Sequence, residues 1–548
     1  MAKKIKIKTK KQKSADFETA LRYYRSGDLR QAEMTCRQIL DRQIDHAHAW
    51  NLLGGILCKT GRHKEGMRHI DRAIHFNPDN FIYYFTLGNA FADIGMPDNA
   101  IVNYNRALML NPGNAYIYSN LGNVLKSKGL LDEAIDTYKE ALTINPDNAE
   151  AYNNLGIALK DKGALDEAID NYERALSLKP DYAGAYGNLG NALLDKGMSG
   201  EAIECYRKAL SLKPDYADMH DGLGRAHIIA KDFNRGWEEY EWRLETIEAP
   251  PLIKPKWDGS SLKEKTILVY PEQGYGDTLQ FVRYLPKLYD DFGAKKVLFI
   301  PQKGLEQLLR ESDLKAEILD ASVLGESLTD FGLIKEDMEY DTNIHLLSLP
   351  RIFKTNLENI PFKGKRYLKA NPEKVEWYRK RFFSTTPYPL HPTPLKVGIF
   401  WQGNPFFEYA VNKAVPLSFF YPITKLPNVK VYSLQKGHGT EQLNDVPEDI
   451  SIVNLGETFN DFSDTAAAIE NLDLVITIDS AVAHLTGAMG KKTWLLHPPF
   501  AEWRWHLDMD YSPWYEDFKI CRHKEYGKKD WEEMMERVVE ELKKACSV

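Results

Sequence analysis

An array of paired α-helices followed by two α/β lobes is the fold this sequence predicts, and two rhythms with a break between them predict it. The first rhythm is a Leu-Gly pair at Leu53-Gly54, Leu87-Gly88, Leu121-Gly122, Leu155-Gly156, Leu189-Gly190 and Leu223-Gly224, one every 34 residues. The second is a set of β-rich runs at 266–270 (TILVY), 296–300 (KVLFI), 396–401 (KVGIFW), 430–434 (KVYSL) and 472–478 (LDLVITI), alternating with helical stretches. Continuous apolar strands separated by helices predict parallel sheets covered on both faces. The break is a proline-rich connector over 249–259.

Within the first rhythm a second glycine keeps the same period (Gly27, Gly61, Gly95, Gly129, Gly163, Gly197), as does a proline (Pro78, Pro112, Pro146, Pro180, Pro214). Apolar residues recur at helical intervals on both sides of that glycine, so it ends one helix and permits the turn into the next, and the proline opens the turn between units. The pattern closely resembles the tetratricopeptide repeat, with Trp50, Tyr84, Tyr118, Tyr152 and Tyr186 at its aromatic position and Ala73, Ala107, Ala141, Ala175 and Ala209 at its small one. Seven units are expected over 13–246, the first and last degenerate as caps. Such an array performs no chemistry by itself; it offers a long concave surface to a peptide or protein partner. Asn120, Asn154 and Asn188 share one position in three successive units. They resemble the asparagine ladder of O-linked N-acetylglucosamine transferases, which implies acceptor binding, although asparagine is common at this position in repeats of every function.

Charge and composition narrow the partners. Lys plus Arg number 71 against 78 Asp plus Glu, so no global positive field draws the chain to nucleic acid. Residues 1–12 form a basic stretch without an apolar run and are expected to be a disordered tail. No run of about 18 apolar residues suggests a membrane span, and a cytoplasmic location is expected. Five cysteines form no C-x-x-C pair and are expected to be free thiols.

In the second half, a linker over 247–262 leads to a first lobe at 263–386. A proline cluster (Pro387, Pro389, Pro392, Pro394) marks an interlobe linker at 387–395, and a second lobe follows at 396–548, closing on a helix over 529–544. The run at 266–270 enters Pro271, Glu272, Gln273, Gly274, Tyr275, Gly276 and Asp277, so a glycine-bearing loop feeds a helix N-terminus, a geometry suited to anions. It is no dinucleotide fingerprint, because Leu279 stands where the third glycine belongs, nor is Gly490-Lys491-Lys492-Thr493 a phosphate loop, because Leu485 stands at the other required glycine.

Seven islands of this half resemble the lipopolysaccharide heptosyltransferases and the tetratricopeptide-fused bacterial glycosyltransferases related to them. They are EQGYGDTLQFVRYLP (272–286), WQGNP (401–405), NKAVPLSFF (412–420), SLQKG (433–437), DFSDTAAAI (461–469), DSAVAHLTGAMG (479–490) and EWRW with SPWY (502–515). The resemblance implies a GT-B fold of two Rossmann-like lobes and a metal-independent, inverting glycosyltransferase. It makes Asp277 the base for the acceptor hydroxyl; an aspartate capping its own helix is the alternative reading. Glu272 is the reserve base. Lys413, shortly before Val415-Pro416, is implied to meet the donor phosphates, and Asp479, Ser480, Ala481 and His484 to bind the nucleotide sugar at a helix N-terminus. Gly274, Gly276, Gln402, Asn404, Gln435, Lys436 and Arg504 complete the expected donor set. Trp503 and Trp505 suit either ligand stacking or the lobe seam.

Three departures matter. The heptosyltransferases lack the repeat arm, DSAVAHLTGA is not the donor motif of the N-acetylglucosamine transferases, and the fused relatives usually carry Arg where Lys413 stands, which loses bidentate phosphate contact. The expected activity is transfer of a sugar from a nucleotide-sugar donor to a hydroxyl of a protein held by the repeats, such as a flagellin or other surface protein. No cofactor, metal, nucleic acid or membrane span is expected, and oligomerisation is left open. A repeat scaffold with an inactive transferase-like module, and a transferase acting on glycan or lipopolysaccharide, are the alternatives.

Overall fold

The computed structural model describes residues 16–247, 254–320, 338–384, 394–405, 413–498, 500–524 and 530–546. The basic tail, residues 248–253 of the first linker and the prolines at 387, 389 and 392 lie outside the described residues. The chain divides into two compact units, Met1–Leu189 and Gly190–Val548. The boundary falls inside a helix of the repeat array, so the last repeat helices group with the lobes.

The first unit is built of antiparallel helix pairs, each helix 13 or 14 residues long: Ala47–Lys59 with His63–Phe76, Phe81–Asp93 with Pro97–Leu110, Ala115–Ser127 with Leu131–Ile144, and Ala149–Lys162 with Leu165–Leu178. The 34-residue markers each have a physical reason. The turn glycines, Gly129 at φ 77° for example, adopt the left-handed backbone that ends the first helix. Asn80, Asn114 and Asn148, two residues after the prolines, accept backbone N–H groups and cap the next helix. In four of the Leu-Gly pairs, Gly88, Gly122, Gly156 and Gly190, the glycine is required because a tyrosine ring of the second helix lies on it, whereas Gly54 and Gly224 admit close packing of Ile70 and of the Tyr240 backbone. A Cβ at Gly122 would sit 2.7 Å from the Tyr138 ring, and Gly88 and Gly156 meet Tyr104 and Tyr172 in the same way. The small-position alanines 73, 107, 141 and 175 are fully buried.

The structure also shows what the three aligned asparagines do within the array. Asn120 donates Nδ2 to Asn89 Oδ1 (3.0 Å), which also accepts the Tyr104 hydroxyl (2.7 Å). Asn154 repeats this with Asn123 and Tyr138 (3.2 and 2.6 Å), and Asn188 donates to Asn153 Oδ1 (2.9 Å). One amide N–H of each therefore ties neighbouring repeats together. Because Tyr138 is buried and cannot retreat, Gly122→Val should cost about 1–3 kcal/mol through overpacking. A thermal melt of the purified chain checks this; a variant as stable as the parent contradicts the packing account.

The second unit opens with the end of the helix Ala183–Asp195, followed by the helices Ser199–Leu212, Ala217–Ile229 and Phe233–Tyr240 and a 3-10 turn at Glu241–Glu245. Two parallel sheets follow. The first, ordered β3-β2-β1-β4, comprises β1 (Thr266–Tyr270), β2 (Lys296–Phe299), β3 (Glu317–Ile318) and β4 (Thr342–His345). The second comprises β5 (Leu395–Phe400), β6 (Val429–Ser433), β7 (Ile452–Asn454), β8 (Leu474–Ile478), β9 (Thr493–Leu496) and β10 (Phe518–Cys521). Its order is β10-β9-β8-β5-β6-β7. Both orders reverse beside their first strand, and in open parallel sheets such a reversal leaves a crevice beyond the strands' carboxyl ends. All five expected strands are present. Strands β3, β4, β7, β9 and β10 have two to four residues each, and β4 (TNIH) is polar in sequence yet buried, an edge strand paired to β1 and bridged at Asn343 by Lys256.

The final helix, Trp531–Cys546, lays Trp531, Met534, Met535, Val538 and Leu542 into the core of the second sheet. Across the lobes, Arg283 is fully buried and donates to Trp514 O (3.1 Å), Pro361 O (3.3 Å) and the Tyr367 hydroxyl (2.8 Å). Ser463 Oγ donates to Glu311 Oε2 (2.7 Å). Among the described residues no helix is long and apolar enough to cross a membrane.

Candidate active site

After β1 the chain turns through residues 271–274 into the helix Tyr275–Phe281. Gln302 holds that loop: Nε2 donates to Gln273 O (2.8 Å) and Gly274 O (3.3 Å), while Oε1 accepts from Thr278 Oγ1 (2.7 Å). Asp277 stands in the first helical turn, and its Oδ2 accepts the Gly274 N–H (3.1 Å), so the capping role is real. Its Oδ1 receives Arg504 Nη2. Arg504 also donates to Gln280 Oε1 (3.0 Å) and Glu502 Oε1 (2.5 Å), and its guanidinium lies 4.1 Å from the Trp503 ring. A carboxylate has about four lone-pair sites, so both oxygens of Asp277 keep accepting capacity toward the cleft.

From the other lobe, β8 runs into Asp479, Ser480 and the helix Ala481–Ala488. Asp479 accepts Lys413 Nζ on Oδ2 (2.5 Å) and Trp505 Nε1 on Oδ1 (3.1 Å). Burial opposes its charge, but Lys413 and the neighbouring cations outweigh that and hold its carboxyl well below the usual range. His484 lies one turn inside the helix; its Nδ1 is 2.9 Å from the Tyr515 hydroxyl and its ring stacks on Trp505. Burial, helped by Arg504, lowers its pKa to about 3, so it is a neutral imidazole at pH 7. Burial raises Glu502 above the ordinary carboxylate range.

These groups face one cleft of about 1070 Å³. Gly274, Gly276 and Asp277 line it from the first lobe; Asn404, Lys413, Lys436, Asp479, Ser480, Ala481, His484 and Arg504 line it from the second. Gly276 has a reason beyond flexibility: a Cβ there would lie 2.8 Å from His484 Cδ2, so only glycine lets the two helices approach. The cleft therefore joins a carboxylate, two cations already paired with carboxylates, and a helix N-terminus whose free amides favour anions. Exposed Lys303 and Lys436 add positive charge without an ion-pair partner among the described residues.

Several expected residues are used otherwise. Gln435 is buried and braces the chain after β5: its Oε1 accepts the N–H groups of Trp401 and Gln402 (3.2 and 3.1 Å) and its Nε2 donates to Gln402 O and His438 O (2.7 and 2.6 Å). Gln402 is not part of the cleft lining, its Oε1 accepting from Gln442 (3.1 Å). Glu272 also lines the cleft, but its side chain is only 1% exposed and its Oε1 is paired with Arg243 (2.6 Å). Trp503 and Trp505 pack in the seam, against Trp237, Tyr240 and Phe281 and against His484 and Phe518. Asn120, Asn154 and Asn188 belong to the first unit. The sequence reading missed Lys303, which no motif flags, and Glu502, whose signal was its position two residues before Arg504.

The family matches fall on the repeats. Tetratricopeptide-repeat families match residues 17–81, 97–129, 122–163, 158–197 and 183–216. Protein FlbA of Caulobacter vibrioides is 25% identical over 323 residues, covering 56% of this chain and 52% of that one. The chain thus spans about half the length of the curated relative it matches. The crystal structure of MamA is 30% identical, with 30% of this chain and 96% of that chain covered and a TM-score of 0.29. That of YrrB, a tetratricopeptide-repeat protein with an unusual peptide-binding site, is 22% identical, with 34% and 95% covered and a TM-score of 0.29. Over its N-terminal part, to about residue 215, the chain is an array of tetratricopeptide repeats, a motif that typically binds peptides or proteins.

Proposed function

We propose that the two parallel-sheet lobes form a GT-B glycosyltransferase that moves a sugar from a nucleotide-sugar donor to a hydroxyl of a protein held by the repeats. The observation that carries this reading is the convergence of Asp277, Lys413, Asp479, Ser480 and His484, drawn from motifs far apart in the sequence, on one cleft at the strands' carboxyl ends. In this reading the donor phosphates lie against the N-terminus of Ala481–Ala488 and Lys413, and the acceptor hydroxyl faces Asp277. As that hydroxyl attacks the anomeric carbon, Asp277 takes its proton, the glycosidic bond to phosphate breaks, and the departing negative charge meets oriented amides and cations. Direct displacement inverts the anomeric centre. Neutral His484 fits a hydrogen-bonding role toward the donor rather than proton transfer. One N–H of each ladder asparagine is spent within the array; the groups left on Asn120, Asn154 and Asn188 are proposed to grip the acceptor's backbone.

Incubation of the full chain with a panel of nucleotide sugars and cell protein, read by intact-mass spectrometry, tests the proposal. A sugar-sized mass increment on a protein is the expected result. Nucleotide-sugar binding without transfer points to an inactive binding module, transfer to glycan alone removes the protein acceptor, and absence of both binding and transfer removes the enzyme.

A further inference from the structure

The segment that follows the last repeat helix reaches the loop of the cleft itself. Arg243, only 4% exposed, donates Nη2 to Glu272 Oε1 (2.6 Å) and to Ser348 Oγ (3.3 Å), and Nη1 to Tyr240 O (2.8 Å) and Glu241 Oε1 (3.1 Å). Its guanidinium also lies 4.6 Å from the Tyr240 ring. The Tyr240 hydroxyl donates to Gln273 Oε1 (3.3 Å), and its ring leans on Trp503, the neighbour of Arg504. The loop is thus gripped at successive positions: Glu272 by Arg243, Gln273 by Tyr240 and Gln302, and Gly274 by Gln302 and Asp277. Both supports of Asp277, its loop and its arginine, trace to Tyr240 and Arg243.

A buried ion pair is a poor device for stability, because desolvation offsets much of the attraction; what it supplies is one fixed geometry, since a displaced partner leaves an uncompensated charge. We propose that Arg243 is a positioning residue, holding Glu272 so that the loop presents Asp277 to the cleft, and that the end of the repeat array is therefore part of the active-site architecture. The kinetic consequence rests on the transferase reading given above; the structural consequence does not.

Hydrogen exchange on the full chain tests the structural part. In Arg243→Met, amides of 271–281 should exchange about tenfold faster, while the strands of the second sheet keep their protection. Arg243→Lys, which retains the charge and part of the hydrogen bonding, should restore part of that protection. Unchanged exchange over 271–281, or a uniform rise across the whole chain, overturns the proposal. Should Arg243→Met fail to fold, Glu272→Gln loosens the same grip with less change and must raise exchange over the same residues; if it does not, the proposal fails. For sugar transfer, kcat should fall about 10²-fold in Arg243→Met with donor KM nearly unchanged, as expected when a reacting group is displaced by about 1 Å. A loss in donor KM alone contradicts positioning. If the parent shows no transfer with any donor, the transferase reading fails, and the exchange result still decides the role of Arg243.

Discussion

On the proposed transferase reading, Asp277→Asn is expected to lower the rate of sugar transfer about 10²–10⁴-fold, the usual contribution of a positioned base, while donor binding and the fold persist. The substitution is nearly isosteric, and the Asn oxygen can still accept the Gly274 N–H (3.1 Å) that caps the helix. Arg504 keeps its bonds to Glu502 and Gln280. What disappears is proton affinity, together with the ion pair to Arg504, whose guanidinium then meets the amide NH2. A role confined to capping would leave turnover within a few-fold of the parent, so single-turnover rates with calorimetry on the same preparation separate the two functions that geometry joins in this side chain.

The second unit loses stability as pH falls below about 6.5. His484, His497 and His345 are lowered to about 3, and His506 and His523 to about 4, in every case first through burial. All five are at most 9% exposed. Their folded pKa values lie below the ordinary 6.5, so the unfolded chain binds more protons in between, and stability rises with pH. It is fully present above 6.5 and drains away as pH drops toward 3 to 4. At pH 5 each imidazole costs up to about 2 kcal/mol relative to pH 7.5, a loss that the raised carboxyls of Glu272 and Glu502, which bind protons more readily in the folded chain, partly offset. The depressed carboxyl of Asp479 adds a further loss below its ordinary range. Ten of the eleven tryptophans lie in this unit, so tryptophan-fluorescence melts report on it. A midpoint at pH 5 equal to that at pH 7.5 would show that these rings are not held neutral.

Much of this architecture was legible because periodicity is a direct trace of packing. The 34-residue spacing is visible since Gly122 must be small beneath Tyr138 and Gly129 must turn left-handed. Strands β1, β5 and β8 were readable because burial on both faces demands continuous apolar runs. Strand β4 was not, since Thr342, Asn343 and His345 are polar residues buried by tertiary contacts, with Thr342 and Asn343 bonded to the distant Pro255 and Lys254 carbonyls, which no local pattern reveals. In the cleft, the motifs brought Asp277, Lys413 and Asp479 together. They could not show that Gln435 turns inward to brace a loop, or that Arg504 spends its donors on Asp277 and Glu502. Those are long-range hydrogen bonds, fixed by how the lobes meet. For the same reason the grip of Arg243 on Glu272, 29 residues apart in sequence, had no signature.

The most direct measurement is a crystal structure of the full chain soaked with each nucleotide sugar of the panel. The proposed function places the donor phosphates on the backbone amides of Ala481 and Val482 beside Lys413, with the anomeric carbon facing Asp277. A donor seated elsewhere, or a sugar directed away from that carboxylate, would contradict it.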